Sequence, residues 1–246
     1  MGSNDTALIT GSARRIGAEI ARHLHARGLD VLIHCRKSLD EARALAGELD
    51  AKRPGSAQVL QADLEEPQAV RALAAEALGA TSRLTLLVNN ASSFYPTPVD
   101  EASDADWDAL VHSNLRAPWI LVQELSAALK ASGGSVVNLV DVYAAHPLAE
   151  HSLYCMAKAG LAMMTRSLAR ELGPAVRVNG VSPGPILWPE DGGPDREAML
   201  RTLPLGRCGE PADIAGAVAW LGLDAPFVTG QILAVDGGRS LILEGS

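Results

Sequence analysis

The segment TALITGSARRIG, residues 6–17, joins a short apolar run to a glycine-bearing turn and the start of a helix. Apolar residues recur at helical spacing over residues 16–24. Gly11 allows a tight turn after the strand, and Gly17 allows the helix to pack closely on the sheet. Amides at the start of this helix would face a pyrophosphate, so the segment predicts a strand–turn–helix unit that binds a nucleotide.

The same rhythm continues along the chain, with short apolar runs alternating with longer helical patterns. Such alternation favours a parallel sheet covered by helices, and right-handed crossovers make it doubly wound. The predicted fold class is α/β, a single-domain doubly wound (Rossmann-like) parallel sheet of about seven strands with helices on both faces. The predicted strands cover residues 6–10, 30–34, 58–62, 84–89, 135–140, 176–181 and 231–235. The helices predicted after the first cover residues 38–49, 67–78, 105–112, 118–130, 151–172 and 212–221.

No linker rich in proline, glycine and serine divides the chain, so residues 1–246 are predicted to form one domain. Residues 183–196 are irregular and rich in proline, glycine and aspartate. A loop of that length in a compact domain is either disordered or a functional lid. We therefore expect a substrate-lid loop near residues 183–205.

The composition disfavours several classes of function. The chain has 21 Lys and Arg against 29 Asp and Glu, a formal net charge of −8, and no extended basic stripe, which argues against nucleic acid. No apolar run approaches the roughly 20 residues of a membrane span, and no signal-type segment precedes the first strand. Cys35, Cys155 and Cys208 lack CxxC spacing, which favours reduced thiols in the cytoplasm and disfavours a metal site.

The residues after the second predicted strand bear on which dinucleotide would bind. NAD enzymes of this fold tend to carry an acid there, which holds the ribose 2′-hydroxyl. This chain has no acid before Asp40 and offers Arg36, Lys37 and Ser38 instead. Two cations and a hydroxyl suit a dianionic 2′-phosphate, so the sequence predicts NADPH. A merely solvated Arg–Lys pair is the alternative.

Several motifs give the chain a resemblance to the short-chain dehydrogenase/reductase family. They are TGSARRIG at 10–17, NNA at 89–91, YCMAK at 154–158, PG at 183–184 and VTGQ at 228–231. These are similar to the family's TGxxxGxG, NNAG, YxxxK and PG motifs, with Ser92 in place of the last glycine of NNAG. Because the motifs run along the whole chain, the resemblance covers all of it.

Two departures narrow the resemblance to the bacterial pteridine-reductase and dihydromonapterin-reductase group. Arg15 stands where the family has its middle glycine, and Asp141 stands where it has a catalytic serine. A serine hydroxyl polarises a ketone, whereas an ionised carboxylate cannot donate to a carbonyl oxygen. Pteridine reductases are similar to this chain at that position, and there an Asp–Tyr pair delivers a proton to a ring nitrogen of a pterin.

The resemblance implies an NADPH-dependent reduction of a dihydropterin, dihydrobiopterin- or dihydromonapterin-like, by a homotetramer without a metal. It implies that Lys158 stabilises the phenolate of Tyr154, one helical turn away, and that Asn114 interrupts a helix and holds a water beside Lys158. Phe94 would stack the pterin against the nicotinamide. The implied catalytic residues are Asp141, Tyr154, Lys158 and Asn114. The implied cofactor-binding residues are Gly11, Arg15, Ile16, His34, Arg36, Lys37, Ser38, Asp63, Leu64, Asn90, Ala91, Ser92, Tyr154, Lys158, Pro183 and Gly184. The implied substrate-binding residues are Arg15, Ser92, Phe94, Asp141 and Tyr154.

Plainer interpretations stay open at each position. Arg15 could be a solvated residue on the first turn of a helix, Asn114 a turn residue, and Phe94 a core-filling aromatic. For the whole chain, one alternative is a reductase of a ketoacyl, sugar or quinone carbonyl. The other is a nucleotide-sensing relative without catalysis, in which Asp141 has disabled the site.

Overall fold

Parallel strands form a seven-stranded sheet in the computed structural model, which describes residues 5–187 and 196–243. The strands are β1 (Thr6–Ile9), β2 (Asp30–Cys35), β3 (Ala57–Gln61), β4 (Leu84–Asn89), β5 (Ser135–Leu139), β6 (Arg177–Pro183) and β7 (Ile232–Val235). The helices are α1 (Arg15–Ala26), α2 (Leu39–Lys52), α3 (Pro67–Ala80), α4 (Asp104–Val111), α5 (Ala117–Ser132), α6 (Ser152–Leu172), α7 (Arg196–Thr202), α8 (Pro211–Ala219) and α9 (Arg239–Leu243). The predicted Rossmann-like fold is confirmed.

The strand order is β3-β2-β1-β4-β5-β6-β7. The chain moves outward from β1 to β3, then returns so that β4 pairs with the other edge of β1. This reversal opens a crevice at the carboxyl ends of β1 and β4, where doubly wound sheets bind their ligands. Most predicted site residues described below lie at or near the carboxyl edge of a strand or on α6, and Asn114 lies between α4 and α5.

The core lies on both faces of the sheet. In β1, Leu8 packs into one cluster of buried side chains, and Ala7 and Ile9 pack into the other. The first cluster includes residues of α3, α5 and α6, and the second includes residues of α1, α2 and α8. Since successive side chains of a strand point to opposite faces, burial on both faces explains why inner strands such as β1 and β4 are mostly apolar, whereas the edge strands β3 and β7 are partly exposed.

Helix α6 places its apolar positions inside the protomer. Leu161, Met164 and Leu168 are buried against the sheet. The outward face instead exposes Met156 and Met163. Within the described residues, no helix combines the length and the apolar character needed to cross a bilayer.

Candidate functional site

The turn between β1 and α1 has two positions, Gly11 and Gly17, at which only glycine fits. Gly11 has a φ of +61°, and a Cβ on it would lie 2.8 Å from the Cα of Ala91. A Cβ on Gly17 would lie 2.3 Å from the carbonyl oxygen of Gly11. Similarly, a Cβ on Gly184, which follows β6, would lie 2.5 Å from the Cα of Asp236. These close approaches fit the backbone surface that a dinucleotide needs at this edge.

Hydrogen bonds lock this turn to the end of β4. The Thr10 hydroxyl accepts from the backbone N–H groups of Asn90 and Ala91, both at 3.0 Å. The Asn90 side-chain amide donates to the carbonyl oxygens of Thr10 and Gly11, both at 2.9 Å. Asn90 therefore shapes the predicted cofactor turn through its contacts with the protein, since its amide is already engaged there.

His34 supports the same turn from beneath. Its Nδ1 accepts from the backbone N–H of Gly11 at 3.0 Å, and its Nε2 donates to the carbonyl oxygen of Ala62 at 3.2 Å. The ring is buried, and burial lowers its pKa to about 4, so the imidazole is neutral at pH 7. The structure thus gives His34 a positioning role, because its two ring nitrogens are engaged by the protein.

Arg15 holds a backbone conformation that glycine favours. Its φ is +53°, in the left-handed region, and its side chain is exposed at the start of α1. A side chain in that region costs roughly 1–2 kcal/mol, which the family's glycine avoids. A strained residue at the edge of a binding crevice supports a functional role for the guanidinium.

The predicted 2′-phosphate residues lie at the carboxyl end of β2. Arg36 makes a close ion pair with Glu65, and its Nη1 lies 3.6 Å from an Asp63 carboxylate oxygen. Lys37 is exposed and Ser38 is half-buried at the start of α2. The sequence reasoning missed Glu65, because only the pairing of β2 with β3 brings it to Arg36.

Three further predicted cofactor residues offer mainly backbone to a ligand. Leu64 is buried in the first core cluster, and Ile16 packs partly buried against the second. Pro183 ends β6, and the following Gly184 donates its N–H to the carbonyl oxygen of Val235 at 3.1 Å. Their positions agree with a dinucleotide that contacts the backbone of these residues more than their side chains.

Asp141 and Tyr154 form a direct pair at the heart of the site. The Tyr154 hydroxyl donates to Oδ2 of Asp141 at 2.7 Å, and the backbone N–H of Tyr143 donates to Oδ1 at 2.9 Å. Both oxygens therefore act as acceptors, the arrangement of an ionised carboxylate. Burial raises the pKa of Asp141, while these hydrogen bonds and nearby Lys158 oppose the rise.

The pKa of Tyr154 moves opposite to the expected direction. Burial raises it strongly, and the neighbouring Asp141 carboxylate raises it further, while the Ser92 hydroxyl lowers it. The expectation that Lys158 stabilises the phenolate stays a prediction, because burial and the Asp141 carboxylate are the groups that set the direction of this pKa here. Tyr154 is therefore held neutral at pH 7.

Lys158 is fully enclosed beside this pair. Its Nζ donates to the carbonyl oxygen of Leu139 at 2.9 Å and lies 5.7 Å from the centre of the Tyr154 ring. Burial lowers its pKa to about 8, against an attraction to Asp141 that raises it. The spacing of four on α6 puts Lys158 and Tyr154 on one face, as the sequence predicts.

Asn114 does interrupt a helix, within a π-helical turn (His112–Arg116) that separates α4 from α5. Its Oδ1 accepts from the Ser92 hydroxyl at 2.7 Å, and its Nδ2 donates to the carbonyl oxygens of Ser93 and Leu110, both at 2.9 Å. Such π-turns occur often at functional sites. Asn114 thereby fixes the loop that carries Ser92, and its water-holding role beside Lys158 stays a prediction.

Phe94 borders the catalytic pair. Its ring meets the Tyr154 ring edge-on, with centroids 4.8 Å apart, and stacks on His151 at 4.7 Å with an interplanar angle of 18°. Phe94 is 53% exposed, so it does not fill the core. The sequence reasoning missed His151, whose signal was its position one helical turn before Tyr154. Of the predicted lid, residues 188–195 lie outside the described residues.

Comparisons with known proteins agree with this geometry. Residues 11–240 match the family model described as enoyl-(acyl carrier protein) reductase. Pteridine reductase 1 of Leishmania tarentolae is 35% identical, with 96% of each chain covered. The 3-oxoacyl-[acyl-carrier-protein] reductase FabG of Staphylococcus aureus is 34% identical, with 95% of this chain and 97% of the relative covered.

A solved structure is similar over the same length. The crystal structure of a blue fluorescent protein from a metagenomic library in complex with NADPH has a TM-score of 0.90 and 37% identity, covering 96% of this chain and 98% of that one. Relatives named for pteridines and for 3-oxoacyl thioesters are similar to this chain to nearly the same degree, so likeness does not choose a substrate. The matched motifs, the sheet and these relatives together show that the chain is an oxidoreductase of the short-chain dehydrogenase/reductase family.

Proposed function

We propose that this protein is an NADPH-dependent reductase that converts a dihydropterin, dihydrobiopterin- or dihydromonapterin-like, to the tetrahydropterin. The observation that carries the proposal is the 2.7 Å hydrogen bond from Tyr154 to Asp141. A carbonyl reductase needs a neutral donor where Asp141 stands, and an ionised carboxylate there would repel a carbonyl oxygen. A pterin ring instead presents N–H and amino groups, from which a carboxylate can accept.

The residues of this chain divide the work of such a reaction. Bound NADPH would supply a hydride to the carbon of the C=N bond. The ring nitrogen must then gain one proton, which Tyr154 would pass on while a protonated Asp141 replaces it, so that no phenolate is left beside a carboxylate. Asp141 holds the Tyr154 hydroxyl in place. Because its pKa is raised, Asp141 takes up a proton more readily than an ordinary carboxylate does. Phe94, half-exposed beside Tyr154, offers a flat apolar face to the substrate ring.

The cofactor would be held by the glycine turn, by the residues after β2 and β3, by Lys158 and by Pro183-Gly184. Arg36, Lys37 and Ser38 suit a phosphate dianion on the ribose. The homotetramer implied by the family resemblance also stays a proposal. The methionines exposed on α6 and the two tryptophans about half-exposed on α4 and α5, Trp107 and Trp119, supply apolar surface for it.

The residues after β2 should make the protein prefer NADPH over NADH. NADPH should bind at least about tenfold more tightly than NADH, which corresponds to about 1.4 kcal/mol and is modest for charge-assisted contacts to phosphate. Fluorescence titration of the ligand-free protein with each cofactor measures the ratio. Replacing both Arg36 and Lys37 with alanine should bring the two affinities close together. Equal affinities in the parent protein would contradict the prediction.

A substrate panel tests the reaction itself. NADPH oxidation should be fastest with dihydropterins, and slower with dihydrofolate, 3-oxoacyl thioesters and simple ketones. Tyr154→Phe is the matched control, because it keeps the ring packed against Phe94 and removes the hydroxyl, and it should abolish turnover. Faster reduction of the thioesters or ketones would favour the carbonyl-reductase alternative, which the likeness to FabG supports. No turnover with any substrate would favour the nucleotide-sensing alternative.

A further inference from the structure

The carboxyl ends of β2 and β3 bring opposite charges together at the place proposed for the ribose phosphate. The strands pair in parallel with Cys35 opposite Gln61, so the residues that follow each strand are neighbours. Arg36 follows β2 directly, and Asp63 and Glu65 follow β3. The Arg36 guanidinium contacts the Glu65 carboxylate and has the Asp63 carboxylate at 3.6 Å. The cation expected to meet a phosphate is thus already shared between two anions.

The two acids differ in how firmly the fold engages their side chains. Asp63 uses Oδ1 to accept the backbone N–H of Glu65 at 3.0 Å, so its carboxylate shapes the turn. The backbone of Glu65 is fixed a second time, because His112 Nδ1 donates to its carbonyl oxygen at 2.9 Å. Neither of these bonds uses the Glu65 side chain. That carboxylate contacts Arg36, and it can be neutralised without releasing the loop.

We propose that Glu65 tunes the cofactor preference by competing with the 2′-phosphate for Arg36. A phosphate that binds there must displace Glu65 from Arg36 or share the guanidinium with it, and it meets repulsion from the carboxylate either way. NADH carries a hydroxyl at that position and meets neither effect. Glu65 therefore weakens the binding of NADPH more than the binding of NADH. The preference for NADPH over NADH is thus smaller than Arg36 and Lys37 alone would give. The inference rests on the proposed binding of NADPH but is independent of the substrate.

The test is a pair of titrations of Glu65→Gln with NADPH and NADH. The variant should bind NADPH about threefold to tenfold more tightly and NADH within about twofold of the parent, a modest effect because both partners are partly exposed. The gain should shrink as salt rises, since salt weakens the interactions of partly exposed charges. In an Arg36→Ala background, the gain from Glu65→Gln should also be smaller.

Glu124→Gln is the matched control. Glu124 makes a similarly close surface ion pair, with Arg71, so the substitution removes the same charge away from β2 and β3 and should change neither affinity. If Glu65→Gln bound NADPH no more tightly than a parent that still prefers NADPH, the inference would be overturned and Glu65 would instead hold Arg36 in place. If the parent bound both cofactors equally, the proposed cofactor preference would fail first, and the inference with it.

Discussion

Replacing Asp141 with asparagine is expected to lower turnover of a dihydropterin by on the order of 10²-fold or more, the usual scale of general acid–base help. Asparagine keeps the volume and can still accept the backbone N–H of Tyr143. It cannot exchange a proton with Tyr154, whose hydroxyl lies 2.7 Å from Oδ2 in the parent. NADPH affinity should change little, because Asp141 lies away from the residues proposed to hold the phosphates. Single-turnover kinetics and a cofactor titration separate the two effects.

Asp141→Ser is the sharper variant at the same position. It rebuilds the Ser-Tyr-Lys set of the wider family and puts a neutral donor where the carboxylate was. It should lose dihydropterin turnover and gain weak reduction of ketones. Removing the carboxylate should also let the pKa of Tyr154 fall, because Asp141 is one of the groups that raise it. Full dihydropterin activity in both variants would make Asp141 a bystander and leave the pterin proposal resting on Arg15 and Phe94 alone.

The fold was predictable from sequence because the inner strands are short, mostly apolar runs that alternate with helical patterns. β4 spans the predicted residues 84–89, whereas β1 ends at Ile9 instead of residue 10. Thr10 follows the strand, and its hydroxyl accepts from the amides of Asn90 and Ala91. Helix α8 likewise ends at Ala219, two residues before the prediction, where a π-helical turn (Trp220–Asp224) begins. Periodicity locates an element but does not show which local hydrogen bonds end it.

The sequence predicts candidate residues for the site but not the contacts between them. Tyr154 and Lys158 share a helix face, so their proximity follows from spacing alone. The hydrogen bond between Ser92 and Asn114 and the ion pair between Arg36 and Glu65 join residues 22 and 29 positions apart. Both contacts depend on how the strands and helices are placed side by side. The direction in which the Tyr154 pKa moves also depends on the tertiary structure, because burial and the position of Asp141 decide it.

Lys158 offers the clearest separation of stability from activity. Its pKa is lowered from 10.5 to about 8 by burial, so the unfolded chain binds more protons than the folded one between those values. The parent protein should therefore gain stability as pH rises from about 8 to about 10.5. A lowering of that size corresponds to about 3 kcal/mol of lost folding free energy at pH 7. The protein keeps the buried Lys158 ammonium despite this loss of folding free energy, as expected of a functional group.

Lys158→Met should therefore stabilise the ligand-free protein at pH 7 while lowering turnover by on the order of 10²-fold or more. The gain should be about 1–2 kcal/mol instead of 3, because Leu139 loses a hydrogen-bond donor and Asp141 loses a nearby cation. Denaturant unfolding at pH 7, 8, 9 and 10 measures it, and the advantage over the parent should fade towards pH 10. Lys130→Met, at an exposed position of α5, should change neither stability nor turnover appreciably. A Lys158→Met variant that was less stable than the parent at pH 7 would mean that the buried ammonium is fully compensated, and that Lys158 stabilises the fold as well as serving the reaction.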